Sequence, residues 1–235
     1  NSEMMIISGA TSSGKSLLMM NMAINAWLGS NDPSNFDGTY FADGKNVVYF
    51  TLEMSKRQLE QRVDANIAKI KHRAIMRGSL SPDELRAWKK SIEFQKKYNK
   101  KFYVVDMPRG TKTMEVEAKF DSIISQFKPD LICVDYLGIM KPNKSYGSDW
   151  EDIGHIAEDL HEFCRKKNIP LITAAQRKGR VRSAGKKTET VEDSEEIGRS
   201  KMVGDNANII LLIENRNEEH LREDMVIHIT KNRDG

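Results

Sequence analysis

The stretch Gly9-Ala10-Thr11-Ser12-Ser13-Gly14-Lys15-Ser16 satisfies the pattern GxxxxGK[ST]. Its glycines let the backbone curl so that N–H groups and a helix N-terminus face an anion. Lys15 then reaches the β and γ oxygens of a nucleoside triphosphate, and the Ser16 hydroxyl offers an oxygen to Mg²⁺. The apolar run from Met4 to Ile7 before it and the helical pattern after it supply the strand–loop–helix context that this chemistry requires. A chance glycine-rich turn is the alternative, and that context weighs against it. ATP with Mg²⁺ is the expected ligand.

Three further residues extend the chemistry. Leu131-Ile132-Cys133-Val134-Asp135 is an apolar strand ending in a carboxylate, which fits a Mg²⁺ ligand acting through water. A capping Asp at a strand end is the simpler reading. The functional one depends on the phosphate loop lying upstream at a separation that lets the two strands be neighbours in one sheet. Glu53 follows the strand Val47 to Thr51, at the end where ligands gather, and can orient an attacking water. It can equally cap the next helix. Gln176 follows the run Ile169 to Ala174 in the same way, which would put an uncharged amide beside the γ-phosphate to report hydrolysis to whatever comes next.

What comes next is basic. Arg177, Lys178, Arg180, Arg182, Lys186 and Lys187 occur with no acid among them in a Gly- and Ser-rich loop, suited to gripping nucleic-acid phosphates without reading bases. A solvated loop is the alternative, and no aromatic residue there indicates base stacking. Lys231 and Arg233 follow the last strand-like run. They are either ordinary surface cations or, in a ring, a finger reaching a neighbour's nucleotide.

These residues need a scaffold that brings strand ends together. The nearly continuous apolar runs Met4–Ile7, Val47–Phe50, Phe102–Val105, Leu131–Val134 and Ile169–Ile172 read as buried parallel strands. Helical stripes separate them: Leu17, Asn21, Ile24 and Leu28; Leu59, Val63, Ile67 and Ile70; and Ile153, Ile156, Leu160 and Phe163. Ser55 with Gln58, and Ser81-Pro82-Asp83-Glu84, are helix starts of the capping-box kind, the second opening a helix to about Tyr98. The expected fold is α/β, a mainly parallel sheet flanked by helices. Ile209–Ile213 and Met225–Thr230 should close it as an antiparallel edge hairpin. One domain over residues 1–235 is expected.

Composition agrees with a soluble globular chain: 235 residues, 39% hydrophobic, 30% charged, net charge +3. That charge is too small to argue for nucleic-acid binding by itself. No apolar stretch approaches the roughly 18 residues of a membrane span, and no signal peptide opens the chain, so a cytoplasmic protein is expected. Cys133 and Cys164 read as buried free thiols, and the five His residues have no ligand spacing. Any metal should arrive with the nucleotide. A strand-like run starts almost at once after Asn1, so an upstream region is expected to be missing.

Taken together, these features resemble the DnaB-type replicative DNA helicases of bacteria and phages, most closely those of T-even-type phages. The resemblance rests on Gly9–Ser16, Leu52-Glu53-Met54 with Arg62-Val63-Asp64-Ala65-Asn66, Val134-Asp135-Tyr136-Leu137-Gly138-Ile139, Thr173-Ala174-Ala175-Gln176 and Lys231-x-Arg233. It implies a RecA-like core in a homohexameric ring that hydrolyses ATP between subunits. Such a ring moves 5′ to 3′ on single-stranded DNA at a replication fork, with a primase and a helicase loader as partners. By the same resemblance Glu53 is the catalytic base, Gln176 the γ-phosphate sensor, and Lys231 and Arg233 act on the adjacent subunit's ATP. The segments after Asp135 and after Gln176 become DNA-binding loops. An N-terminal domain and linker helix would be absent from this chain. Bacterial members carry an Arg where this sequence has Gly198, with Arg199 one position off. A strand-exchange recombinase of the RecA or RadA kind lacks the Asp135-Tyr136-Leu137-Gly138 signature, and a KaiC-like regulatory ATPase would not need the cationic loop. A plain P-loop kinase gives no reason for Gln176 or for the Lys231/Arg233 pair.

Overall fold

The computed structural model describes residues 2–33, 41–145, 147–176, 201–213 and 225–233. In chain order these form β1 (Met4–Gly9), α1 (Lys15–Leu28), β2 (Val47–Thr51), α2 (Lys56–Ile67), α3 (His72–Arg77), α4 (Pro82–Lys97) and β3 (Phe102–Asp106). There follow α5 (Thr113–Ile124), β4 (Leu131–Asp135), a 3₁₀ turn at Leu137–Ile139, α6 (Asp149–Lys167), β5 (Leu171–Gln176), β6 (Ile209–Ile213) and β7 (Ile227–Asn232). The strands make one sheet in the order β3-β2-β4-β5-β1-β6-β7. All neighbours pair parallel except β6 and β7, which form the expected antiparallel edge.

Side chains alternate across the strands, so the sheet has two apolar faces. One buries Ile7, Tyr49, Cys133 and Ala174 under α1, α2 and α4; the other buries Ile6, Phe50, Val134 and Leu171 under α5 and α6. Both capping boxes form, at Ser55/Gln58 and Ser81/Glu84, and α4 runs to Lys97 as its start signal implied. Cys133 and Cys164 are both buried and free.

Four readings change. β5 lies between β1 and β4, so the strands that carry the phosphate loop and Asp135 are not neighbours. Next, α1 turns a different side to the core: Leu17 is 47% exposed, while Met19, Met20, Ala23, Ile24 and Trp27 are buried. Lys15, Met19, Ala23 and Trp27 form one i, i+4 row, and Lys15 at its head is itself buried. The lysine that points into the phosphate loop goes with this rotation of the helix, and of the expected stripe Leu17, Asn21, Ile24 and Leu28 only Ile24 is fully buried. Thirdly, β5 begins at Leu171 and runs to Gln176, and β7 runs to Asn232. Gln176 and Lys231 are therefore strand residues rather than loop residues. Lastly, α3 and α5 were not foreseen from hydrophobic periodicity; α3 is a short helix without a buried residue.

Phe120 is 1% exposed and meets Phe163 edge-on at 5.3 Å, joining α5 to α6. Phe120→Ala should cost about 3–5 kcal/mol through transfer and cavity terms. Ser81→Ala, which removes only an exposed cap, should cost about 1 kcal/mol. Urea unfolding of both variants measures the contrast, and equal losses would contradict this packing.

Candidate functional site

Residues 9–16 leave β1 and enter α1 through backbone conformations that few side chains tolerate. Gly14 stands at the helix N-cap with φ 92°, and a Cβ there would come within 2.6 Å of Met225 Cε. A Cβ on Gly9 would meet Ser13 Oγ at 2.6 Å, so the loop closes tightly over its own first residue. No side chain caps α1 and no acid occupies its first turn. Its leading N–H groups remain available to an anion. Ser13 Oγ is buried with no hydrogen-bond partner among the described residues, as expected of a hydroxyl whose partner comes from outside the chain.

Lys15 Nζ donates to Gly9 O at 3.1 Å and to Ala10 O at 2.5 Å, both carbonyls of its own loop. Burial lowers its pKa, while the charges of Asp135 and Glu53 pull it back up. Ser16 Oγ donates to Asp135 Oδ1 at 3.0 Å across 119 positions of sequence. A hydroxyl and a carboxylate oxygen held together are hard donors of the kind Mg²⁺ takes, and the loop beside them is shaped for phosphates. This donor set fits a nucleoside triphosphate with a divalent cation.

Glu53 lies two residues beyond Thr51, which is paired with Asp135 in the sheet. Buried Thr51 pins the turn: its Oγ1 donates to Met54 O at 2.7 Å and accepts from Met54 N at 3.3 Å, while Leu52 N donates to Asp135 O at 3.0 Å. The exposed Glu53 carboxylate is thereby held near enough for its charge to act on Lys15, Asp135 and Tyr136. Gln176 pairs with Gly9 at the end of β5. Its Nε2 donates to Thr11 Oγ1 in the phosphate loop, and its Oε1 accepts from Tyr136 OH at 3.4 Å. The intervening strand therefore sets an amide between loop and carboxylate.

Lys231 and Arg233 are not brought to this place. β7 runs antiparallel, so Lys231 pairs with Ile210 of β6, itself level with Ile6 of β1. That is three residues, roughly 10 Å, below Gly9. Lys231 Nζ donates to Gly204 O at 2.5 Å and Arg233 Nη2 to Asp205 O at 2.7 Å, at the end of a helical stretch through residues 201–206. Arg177, Lys178, Arg180, Arg182, Lys186, Lys187 and Arg199 lie outside the described residues.

Tyr49 belongs to the site although no motif names it, and Tyr136 belongs to it although the Asp135-Tyr136-Leu137-Gly138 signature assigned it no role. Tyr49, within β2, donates its hydroxyl to Asp135 Oδ2 at 3.1 Å. Burial first, and the Asp135 charge second, hold its phenol well above its ordinary pKa. The one available signal was a hydroxyl inside the otherwise apolar run Val47–Phe50. The thiols take no part: burial pushes Cys164 up to about 11 and Cys133 higher still.

Burial also pushes Asp135 up to about 6 from 3.8, against the lowering effect of the Ser16 and Tyr49 hydrogen bonds. Between those two values the folded chain holds a proton that the unfolded chain has released. This contribution to stability therefore falls as pH rises through about 6. In the metal-free protein, wild type should lose on the order of 1 kcal/mol relative to Asp135→Asn between about pH 5 and pH 7.5. Denaturant unfolding at both values measures this, and parallel pH slopes would refute the buried-carboxylate account.

Comparison with known proteins accords with this geometry. A family model described as the DnaB-like helicase C terminal domain matches residues 1–235. The replicative DNA helicase DnaB of Treponema pallidum (strain Nichols) is 27% identical over 176 residues, covering 75% of this chain and 36% of that protein. A probable plasmid replicative DNA helicase of Chlamydia trachomatis serovar L2 is 26% identical over 238 residues, covering 98% of this chain and 46% of that protein. The chain thus spans less than half the length of these curated relatives. A solved structure described as an ATPase domain shares the fold with a TM-score of 0.76 at 20% identity, over 99% of this chain and 78% of that one. A DnaB-like replicative helicase, solved in a study of its interactions with primase, gives a TM-score of 0.75 at 20% identity over 100% of this chain and 53% of that one. These matches support the family and leave the nearer likeness to T-even phage helicases an expectation.

Proposed function

The chain belongs to the DnaB-like helicase C-terminal domain family, and from that premise we propose that residues 1–235 are the motor domain of an ATP-driven replicative DNA helicase. In this reading six copies form a ring in the cytoplasm, hydrolyse ATP between subunits and move 5′ to 3′ on single-stranded DNA at a replication fork, where a primase and a loader join them. No helix among the described residues is long and apolar enough to cross a membrane.

Residues 9–16 would hold the triphosphate, with Lys15 on its β and γ oxygens. Ser16 directly and Asp135 through water would hold Mg²⁺, which supplies charge neutralisation at the phosphates. Glu53 would accept the proton of the water that attacks the γ-phosphorus as the bond to the β–γ bridging oxygen breaks, releasing ADP and phosphate. The observation that carries the motor reading is the Gln176 amide, bonded to Thr11 of the phosphate loop at the last residue before the basic segment that starts at Arg177. A change at the γ-phosphate would reach the cations Arg177, Lys178, Arg180, Arg182, Lys186 and Lys187 through one residue. Lys231 and Arg233, at the other end of the sheet, would serve the neighbouring subunit's ATP.

In the full-length protein, Glu53→Gln should bind ATP normally while its single-strand-stimulated hydrolysis falls at least about 100-fold and fork unwinding stops. Hydrolysis at the wild-type rate would remove Glu53 from the chemistry. The finger assignment has its own check. Full-length Lys15→Ala and Arg233→Ala proteins, each inactive alone, should regain a part of the ATPase when mixed, because some interfaces then pair an intact loop with an intact finger. Mixtures that stay inactive while still assembling would count against action in trans.

A further inference from the structure

Asp135 is fully buried, and both of its oxygens are engaged: Oδ1 accepts from Ser16 Oγ at 3.0 Å and Oδ2 from Tyr49 OH at 3.1 Å. The two donors come from different elements. Ser16 belongs to the first turn of α1, beside the phosphate loop, whereas Tyr49 sits inside β2, opposite Cys133 and two residues short of the position paired with Asp135. Alternation puts Tyr49, Cys133 and Asp135 on the same face, so the phenol points along the strand at the carboxylate.

Packing alone does not require that hydroxyl. Tyr49 has no exposed surface, its ring stacks on Phe102 at 6.2 Å, and its neighbours in the cluster are apolar. A phenylalanine would fill the same space without a polar atom to satisfy. What the hydroxyl adds is a fixed rotation of the Asp135 carboxyl group. With Oδ2 tied to β2, Oδ1 is the oxygen turned towards Ser16.

We propose that Tyr49 is a positioning residue for the divalent cation, locking the Asp135 carboxylate so that Oδ1 and Ser16 Oγ face the metal together. The inference rests on the reading of Ser16 and Asp135 as the metal-binding pair. Asp135 acts on the ion through water, and partners that hold such a carboxylate in place contribute to metal affinity without touching the ion themselves.

The test is Mn²⁺ binding to the full-length protein with ADP bound, followed by electron paramagnetic resonance, alongside metal-free ADP binding in EDTA. Tyr49→Phe should weaken Mn²⁺ binding about tenfold and leave metal-free ADP binding nearly unchanged. Replacing Tyr49 by 4-aminophenylalanine, which keeps a donor on the ring, should restore most of the affinity. Where Tyr49→Phe does not fold, 4-fluorophenylalanine at the same position gives the donor-free ring at nearly the original size. A folded donor-free variant that binds Mn²⁺ as tightly as wild type overturns the proposal, as does failure of the amino analogue to rescue. Ser16→Ala and Asp135→Asn separate the two levels of the argument. If they too keep full Mn²⁺ affinity, the metal-pair reading fails; if they lose it while Tyr49→Phe keeps it, only the role of Tyr49 fails.

Discussion

The rest of the site depends on a carboxylate buried at the end of a central strand. A lone ionised Asp135 out of water would be costly by several kcal/mol, and burial does raise its pKa to about 6. Its surroundings answer this with one donor from α1 and one from β2, besides the nearby charge of Lys15. Each requirement constrains a separate element. α1 must present Ser16 and Lys15 together, which sets its rotation. β2 must carry a hydroxyl on the face it shares with Cys133, and β4 must end at this residue.

The sheet order adds the next constraint. With β5 between β1 and β4, phosphate loop and carboxylate stand two strands apart, and the gap between them is spanned by whatever side chain ends β5. Gln176 fills it, joined to Thr11 on one side and Tyr136 on the other. An amide suits the position because it donates and accepts at once. A carboxylate there would place a third negative charge beside Asp135 and Glu53, and a lysine could not accept from Tyr136.

The residues proposed to carry chemistry were legible because each sits at a strand end, where a short local pattern announces it: GxxxxGKS after Met4–Ile7, Asp135 after an apolar run, Glu53 after Val47–Thr51. Capping boxes at Ser55 and Ser81 were legible for the same reason, since a cap is a contact over three residues. What stayed hidden depends on partners distant in sequence. Tyr49 acts on a group 86 positions away, and nothing within Val47–Thr51 shows that its hydroxyl meets an acid. Leu17 looked like core because the aliphatic stripe ignored Lys15 as a buried residue. The place of β5 beside β1 is settled by pairing, not by any local pattern. α3, with no buried residue, gave periodicity nothing to detect.

The two ends of the sheet lead to the last step. Parallel strands deliver their C-terminal ends to one rim, and Lys15, Glu53, Asp135 and Gln176 all stand there. β7 alone runs the other way, so its terminal cations emerge at the opposite rim. Within one chain Lys231 and Arg233 are tied to the carbonyls of Gly204 and Asp205, where the negative end of a helical stretch favours them. No rotation of a lysine side chain spans the roughly 10 Å of strand, and the further distance to the γ-phosphate, that separates Lys231 from its own loop. If these cations meet a nucleotide, it belongs to another copy, and the antiparallel edge strand would then be the feature of the fold that makes the proposed motor depend on its neighbour.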